Sequence, residues 1–173
     1  MPVKPWIEND ELACSEMRKG WYWQKVIGAY FEAHGLPVVL DPFRFRETRA
    51  DIPEFRDTPD LLVAGERIEV KSRNLKFWTP ATFEYARPLV DTVSSYDAYE
   101  EKPLAYVFVS QTTGAWICTP GRRPDAVARW TIEEHYDAVR RIDDMFYTVP
   151  RSLCGTPAPL LAHLKKINKT PKP

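Results

Sequence analysis

The sequence predicts an α/β fold in which a central mixed sheet of four to five strands is flanked by helices. Three observations lead to this class. A long amphipathic helical pattern comes first, two pairs of short apolar runs are each joined by a tight turn, and a proline-interrupted stretch separates those pairs. The 173 residues are expected to form one domain, with a core over about 16–119 and a helical extension over about 122–168.

The first element is a helix predicted over 11–34, whose apolar side chains recur at steps of three and four residues. Gly20 lies inside this run and predicts that the helix is interrupted or restarted there. Gly35 follows as a C-terminal signal. Residues 37–40 predict a short strand, and 43–55 shows no sustained period, so it is predicted to be a loop or an irregular edge.

Two strand pairs come next. Residues 60–63 and 67–71 are separated by three residues that include Gly65, a spacing that suits an antiparallel hairpin. Residues 105–110 form a continuous apolar run of buried-strand length, and 115–119 follows across a short turn as its partner. These runs account for the four or five strands of one sheet.

Three segments outside these strands are predicted to contain helices. Residues 79–102 include two prolines, so an irregular stretch with one short helix is expected there. Thr131 and Glu134 fit a capping box that opens a helix reaching about residue 145. Leucines at helical steps over 160–167 predict a last helix.

Composition and charge narrow the classes of function. The formal net charge is zero, which argues against a protein that coats nucleic acid by bulk electrostatics, so any nucleic-acid site should be a local patch. The chain shows neither the roughly 20 apolar residues of a membrane span nor a signal-peptide segment, so we expect a cytoplasmic protein without a membrane partner. Cys14, Cys118 and Cys154 are scattered and are expected to be buried thiols.

The hairpin between the second and third predicted strands carries the residues with catalytic potential. A two-residue turn at Gly65 and Glu66 would place Asp60 opposite Lys71. Side chains alternate between the two faces of a strand, so Asp60, Glu69 and Lys71 are predicted to share one face, while apolar residues occupy the other. One face of the hairpin is therefore expected to be core, and the other to hold three charges.

The two carboxylates of this face suit a hard metal ion. Diagonal neighbours on adjacent strands have Cβ atoms roughly 7–8 Å apart, so Asp60 and Glu69 can converge on one ion. Mg²⁺ typically takes one or two carboxylates and keeps water and substrate phosphate in its other positions. The competing interpretation is an ordinary amphipathic strand, since 67–71 alternates as such strands do. The position of Asp60 directly before an apolar strand favours the metal site.

The Pro-Asp dipeptide at 59–60, followed by the Glu-Val-Lys tripeptide at 69–71, resembles the signature of the PD-(D/E)xK nuclease superfamily, the restriction-endonuclease-like phosphodiesterases. The predicted order of helix, strand, hairpin, helix-containing segment and strand is also similar to that family's α-β-β-β-α-β core. Three stretches resemble small members from phages or mobile elements, namely 69–73, 90–93 and 110–114.

The resemblance implies a metal-dependent nuclease. Asp60 and Glu69 would bind Mg²⁺, for which Mn²⁺ can substitute, and the backbone carbonyl of Val70 would complete the metal site. Lys71 would assist the attacking water. The implied partner is nucleic acid, with DNA expected before RNA and internal cleavage before cleavage from an end.

Many members of that family also carry a glutamate on the first helix, four positions after a glycine. Here Gly20 leads to Gln24, which departs from that pattern. A neutral amide can bind a metal through its oxygen, but it supplies no charge to hold a second ion. Gln24 and Glu16, which lies about two turns earlier, are the two candidates for a further ligand. A solvated glutamate near the start of a helix is the competing interpretation for Glu16.

Basic, polar and aromatic residues on both sides of the signature are candidates for contact with nucleic acid. Arginine and lysine can neutralise phosphates, and an indole ring can stack on a base. A solvated surface charge is the competing interpretation for each basic residue taken singly. The predicted contact residues are Arg44, Arg46, Arg49, Ser72, Arg73, Lys76 and Trp78.

Two other functions stay open on the sequence alone. One is a noncatalytic subunit that keeps a nuclease-like fold and binds nucleic acid or assembles with other proteins, which the neutral Gln24 favours. The other is an unrelated α/β scaffold, which a register with Asp60 and Glu69 on opposite faces would favour. The sequence also leaves open whether two chains pair as a homodimer, and whether the substrate is duplex, single-stranded or branched.

Overall fold

Helix α1 (Glu11–Ala33) opens the computed structural model, which describes residues 11–42, 59–137 and 142–169. The helix is continuous, so the predicted interruption at Gly20 is wrong. Among the described residues, no heavy atom outside the helix lies within 4 Å of the position that a Cβ would take at Gly20. Packing of Ile27 and Phe31, both fully buried, offsets its low helix propensity.

The end of α1 follows the predicted glycine signal. Gly35 has a φ of 79°, and its N–H donates to the Glu32 carbonyl at 2.9 Å. The Leu36 N–H donates to the Phe31 carbonyl at 3.1 Å, which completes a Schellman motif. The buried Leu36 side chain then leads the chain toward the sheet.

A mixed sheet of five strands follows α1, as predicted. Its strands are β1 (Val38–Val39), β2 (Leu61–Val63), β3 (Glu66–Arg73), β5 (Ala105–Ser110) and β6 (Trp116–Pro120). Their order in the sheet is β1-β2-β3-β5-β6, and all neighbours are antiparallel except β3 and β5, which are parallel. The parallel pair requires a crossover, and residues 74–104 supply it.

The crossover holds more strand than the sequence predicts. It contains a 3-10 turn (Pro80–Thr82), strand β4 (Leu89–Thr92) and the short helix α2 (Val93–Ala98). The expected short helix is present, but the four residues before it pair with a distant strand. Such pairing depends on a partner more than 50 residues away, which local periodicity does not reveal.

The region after β6 corrects the sequence analysis. A short helix α3 (Pro124–Val127) is followed by two long antiparallel strands, β7 (Thr131–Asp137) and β8 (Ile142–Thr148), so the predicted helix from Thr131 to about residue 145 is wrong. β-branched and aromatic residues, which favour strands, outweigh the apparent capping box here. Together with β4 they form a second sheet of order β4-β8-β7. The predicted last helix is present as α4 (Pro157–Asn168).

The five-stranded sheet has a different core on each face. One face packs under α1 and α4 and is lined by aliphatic residues. The other face packs under the crossover and the second sheet and is rich in aromatic rings, including Phe77, Tyr106 and Phe108. Cys118 and Cys154 are buried free thiols, as expected, whereas the Cys14 side chain lies outside the described part of the chain. Within the described residues, no helix is long and apolar enough to cross a membrane.

Candidate active site

The turn between β2 and β3 lies one residue earlier than predicted. Val63 pairs with Glu66, so Ala64 and Gly65 are the two central residues of the turn, and the predicted turn at Gly65 and Glu66 is wrong. Their φ angles are 53° and 78°. Two-residue hairpins favour a turn with positive φ at both central positions, because its twist matches that of the strands.

This change moves β3 by two residues relative to β2, so it leaves the faces of the hairpin unchanged. The paired residues run from Leu61 with Ile68 to Val63 with Glu66, and Asp60 lies in a bend directly before β2. Glu69 and Lys71 share one face of β3, as the sequence predicts. The Asp60 carboxylate lies close enough to both for its charge to raise the pKa of Glu69 and of Lys71.

Asp60 is held by the backbone of β3 and by helix α1. Its Oδ2 atom accepts a hydrogen bond from the Val70 N–H at 2.8 Å. Its Oδ1 atom accepts one from the Gln24 Nε2 atom at 2.7 Å. The first helix thus reaches the carboxylate through the residue at which the sequence departs from the family pattern.

Glu16 lies earlier on the same helix and has another partner. Its carboxylate pairs with the Lys19 ammonium at 2.7 Å. Gln24 comes eight positions later, which corresponds to roughly 12 Å along the helix axis. Of the two candidate ligands on α1, Gln24 is the one that contacts Asp60.

Glu69 is buried among charged groups, with only 3% of its surface exposed. Its Oε1 atom lies 2.9 Å from the Arg67 Nε atom, and its Oε2 atom lies 3.7 Å from the Lys71 Nζ atom. Burial raises the pKa of Glu69 to about 8, and the negative charge of Asp60 acts in the same direction, against the positive charges of Lys71 and Arg67. Burial also raises the pKa of Asp60, with the Lys71 charge opposing it.

Asp91 on β4 is a third buried carboxylate at this site, and the sequence analysis assigned it no role. Its Oδ2 atom lies 3.3 Å from the Lys71 Nζ atom and accepts hydrogen bonds from the hydroxyls of Tyr99 at 3.0 Å and Tyr106 at 3.2 Å. Its Oδ1 atom accepts the Thr92 N–H at 2.9 Å. Asp91 therefore holds the Lys71 ammonium from a strand of the second sheet.

These carboxylates keep Lys71 charged. Burial acts to lower the pKa of the ammonium, but the negative charges of Asp91, Glu69 and Asp60 outweigh it and raise the pKa above its ordinary value. The side chain as a whole is 22% exposed. A fixed, charged ammonium on such a side chain can stabilise negative charge that develops on a bound group.

Arg67 is the second residue that sequence reasoning missed. Strand alternation places it on the charged face, yet it is only 4% exposed, and its guanidinium lies 3.9 Å from the centre of the Tyr99 ring. Its contact with Glu69 occupies one oxygen of that carboxylate. The sequence signal was an arginine inside an alternating strand. Because arginine is seldom buried unless it is paired, such a position could have indicated a charged partner nearby.

The donor set fits a hard divalent cation. Among the described residues, no three His, Cys, Asp or Glu side chains are gathered so as to hold a metal ion by themselves. Asp60 and Glu69 would therefore need other oxygen donors, such as the Val70 carbonyl and the Gln24 amide. The N–H and C=O of one strand residue point to the same side, so the Val70 carbonyl faces β2 as its N–H does. Burial raises the pKa of both carboxyls, so their ionised forms are disfavoured unless a cation offsets the charge.

The predicted nucleic-acid contacts separate into three groups. Arg44, Arg46 and Arg49 lie outside the described residues. Ser72 and Arg73 are half-buried: the Ser72 Oγ atom accepts from the Gln111 Nε2 atom at 3.2 Å, and the Arg73 guanidinium donates to the Leu89 carbonyl at 3.0 Å. Burial lowers the pKa of Arg73. Lys76 and Trp78 are exposed, and the Lys76 Nζ atom lies 5.1 Å from the centre of the Trp78 ring.

Comparison of this chain with protein-family models, curated proteins and solved structures found no match. The fold and the site by themselves define an α/β protein with a buried cluster of carboxylates, a lysine and an arginine beside a hairpin. The chemistry of that cluster is a better guide to the protein's function than the fold, because one fold can support many activities.

Proposed function

We propose that this protein is a Mg²⁺-dependent nuclease that hydrolyses phosphodiester bonds in nucleic acid, with DNA as the first substrate to test. The observation that carries the proposal is the proximity of Asp60, directly before β2, to Glu69 and Lys71 on one face of β3. The order of α1, the antiparallel strands β1 to β3 and the parallel strand β5 supports the resemblance to PD-(D/E)xK nucleases.

Asp60 and Glu69 would hold the metal ion, with the Val70 carbonyl and the Gln24 amide oxygen as further donors and Mn²⁺ as a substitute ion. The ion would offset negative charge on the scissile phosphate and make an attacking water easier to deprotonate. The Val70 N–H and Gln24 orient the Asp60 carboxylate, which reduces the reorganisation needed when a cation binds.

Lys71 contributes the positive charge of the protein itself. Its ammonium lies beside Glu69 and is held by Asp91, so it is fixed before substrate arrives. Placed near the reacting phosphate, it would orient the attacking water and stabilise the charge that develops in the transition state. The positive charge of Arg67 lies against the Glu69 carboxylate, and only 4% of the Arg67 surface is exposed. Its role would be to position that carboxylate.

The proposal is tested by measuring cleavage of labelled duplex, single-stranded and branched DNA, and of RNA, with Mg²⁺, Mn²⁺ or Ca²⁺. Asp60→Asn, Glu69→Gln and Lys71→Ala should each reduce cleavage by about 100-fold or more while the protein stays folded. Matched controls are exposed residues of the same chemical types, Asp125→Asn, Glu32→Gln and Lys165→Ala. A site variant that cleaves at the parental rate would remove that residue from the proposed mechanism.

A noncatalytic nucleic-acid-binding subunit is the second candidate, and two contacts favour it. Gln24 adds no charge to the site, and Arg67 already occupies one oxygen of Glu69. This alternative predicts that nucleic acid binds but is not cleaved with any of the three metal ions. The third interpretation, an unrelated α/β scaffold, predicts that the protein neither binds nor cleaves nucleic acid.

A further inference from the structure

Trp78 is a large aromatic side chain that the protein leaves in solvent. Its side chain is 56% exposed. The other tryptophans of the described residues are half-buried or buried. An exposed indole is a common feature of surfaces that bind a flat or apolar partner.

The loop that carries Trp78 is anchored at several points. The Ser110 Oγ atom donates to the Leu75 carbonyl at 2.6 Å, and the Thr113 Oγ1 atom donates to the Phe77 carbonyl at 2.6 Å. The Trp78 N–H donates to the Thr82 Oγ1 atom at 3.0 Å. Because the backbone is held in place, a partner that binds the exposed ring would not have to order the loop first.

The same loop is joined to the candidate active site through packed rings. Phe77 is fully buried next to Phe83, with ring centres 4.9 Å apart, and the Phe83 ring lies 6.2 Å from that of Phe108. Phe108 is the register partner of Lys71 on the neighbouring strand. The backbone that presents Trp78 is therefore connected to the strand of the proposed catalytic lysine by one layer of aromatic side chains.

We propose that Trp78 and Lys76 form a stacking platform for an unpaired base, so that the substrate of the proposed nuclease is single-stranded or contains unpaired nucleotides. The inference rests on the proposed function, since it takes nucleic acid as the substrate. An exposed indole face matches the face of a base, which is available in a single strand but covered by stacking within a duplex. The Lys76 ammonium lies over one face of the ring, so the base would stack on the other face and Lys76 would contact an adjacent phosphate.

Binding measured without cleavage tests this proposal. Fluorescence anisotropy in EDTA would compare a labelled 12-nucleotide DNA strand, the RNA of the same sequence and the corresponding DNA duplex. Trp78→Ala should weaken single-strand binding about 5- to 100-fold, and Trp78→Phe should retain most of it. Duplex binding should change by less than about twofold. Tyr136→Ala is the matched control, because Tyr136 is 62% exposed on β7.

Two further variants separate the parts of the platform. Lys76→Ala should reduce the salt dependence of single-strand binding by about 0.7 in the slope of log K against log salt concentration, the effect of one phosphate contact. Thr82→Val should weaken binding less than Trp78→Ala, since it loosens the loop and keeps the ring. Equal binding of the DNA and RNA strands would assign recognition to the base, and tighter binding of one would identify the preferred sugar.

The outcomes distinguish this inference from the proposed function. Unchanged single-strand binding by Trp78→Ala, or equal losses on single strand and duplex, would overturn the platform. If Trp78→Ala weakens single-strand binding while the parental protein cleaves nothing, the platform stands and the nuclease proposal fails. If cleavage depends on Asp60 and Glu69 but Trp78→Ala binds and cleaves like the parent, the nuclease stands without the platform. Circular dichroism and thermal unfolding check that each variant is folded.

Discussion

The two faces of the five-stranded sheet carry opposite chemistry, although the same strand supplies both. On β3, Ile68 and Val70 enter the aliphatic core under α1 and α4. Their neighbours Arg67, Glu69 and Lys71 enter the face beneath the crossover and meet charged and hydroxyl groups. Alternation along one strand therefore separates a face that stabilises the fold from a face that concentrates charge.

Burial of side chains has different energetic consequences on these two faces. Burial of aliphatic side chains stabilises the protein by about 25 cal/mol for each Å² removed from water. Burial of charges is costly unless they are paired, and a buried ionic cluster is weak evidence for stability. The charged face is better explained by a chemical role than by a structural one, which supports the proposed function.

The largest effect on stability is expected from the aliphatic face. Phe31→Ala should lower the free energy of unfolding by about 3–5 kcal/mol, because the side chain is fully buried and its truncation leaves a cavity. Urea denaturation measures this loss. Cleavage per folded molecule should stay within about twofold of the parental value, and Glu32→Gln on the exposed side of the same helix is the control. A loss of cleavage larger than the loss of folded protein would mean that the two faces are not separable.

A substitution on the charged face should reduce cleavage strongly and change stability little. Glu69→Gln should reduce cleavage by about 100- to 1000-fold, because the uncharged amide cannot hold a cation at the reacting phosphate as the carboxylate would. At pH 6, where a carboxyl with a pKa of about 8 is protonated, the variant should unfold with a free energy within about 1 kcal/mol of the parent. A strong loss of stability with intact cleavage would reverse the assignment of the face.

A pH dependence should also distinguish the faces. The pKa of Glu69 in the folded protein is raised to about 8, above the ordinary value of 4.5, so the metal-free protein should lose stability as pH rises from about 4.5 to about 8. Metal binding requires the deprotonated carboxylate, so Mn²⁺ affinity should increase about tenfold per pH unit below pH 8 and level off above it. Calorimetric titration at pH 6.5, 7.5 and 8.5 measures this. Glu69→Gln should flatten the profile, and an unchanged profile would exclude Glu69 as the titrating ligand.

Asp91 should affect turnover more than binding. Asp91→Asn removes the negative charge 3.3 Å from the Lys71 ammonium, so kcat should fall about tenfold while KM changes by less than about twofold. Asp91→Glu should restore part of the rate, because it returns the charge. Asp97→Asn, an exposed aspartate on the following helix, is the control. A change confined to KM would place Asp91 in substrate binding.

The smallest effects are expected on helix α1. Gln24→Glu should strengthen Mn²⁺ binding by about tenfold, because it adds a negative charge next to Asp60. Glu16→Gln should leave it unchanged, since Glu16 pairs with Lys19. Titration of both variants by calorimetry compares them directly. No change in either would place α1 outside the metal site, and weaker binding in Glu16→Gln alone would restore Glu16 as the ligand.

The central features of the fold were predictable because they depend on local patterns. The periodicity of α1, the apolar run of β5 and the signal at Gly35 each follow from nearby residues. The hairpin face was also predictable, although the turn was placed one residue too late. Moving β3 by two positions preserves side-chain alternation, so the pairing error did not change the face that Glu69 and Lys71 occupy.

The second sheet was not predictable in the same way. Thr131 and Glu134 fit a helix start, but β7 forms because β8 is available beside it, and β8 in turn pairs with β4. Strand formation depends on such partners more than on intrinsic preference. The capping-box pattern predicted a helix that is not present, because pairing over long distances in the chain outweighs it.

By itself, the sequence determined which residues of the hairpin share a face, because alternation along a strand is a property of the backbone. Only the tertiary structure decided that Asp91 joins them. An irregularity in the pairing of β4 with β8 lies between Leu89 and Asp91, and the Tyr99 and Tyr106 hydroxyls hold the carboxylate beside Lys71. Those contacts join segments that are 8 to 20 residues apart in the chain and belong to different layers, so no local pattern encodes them.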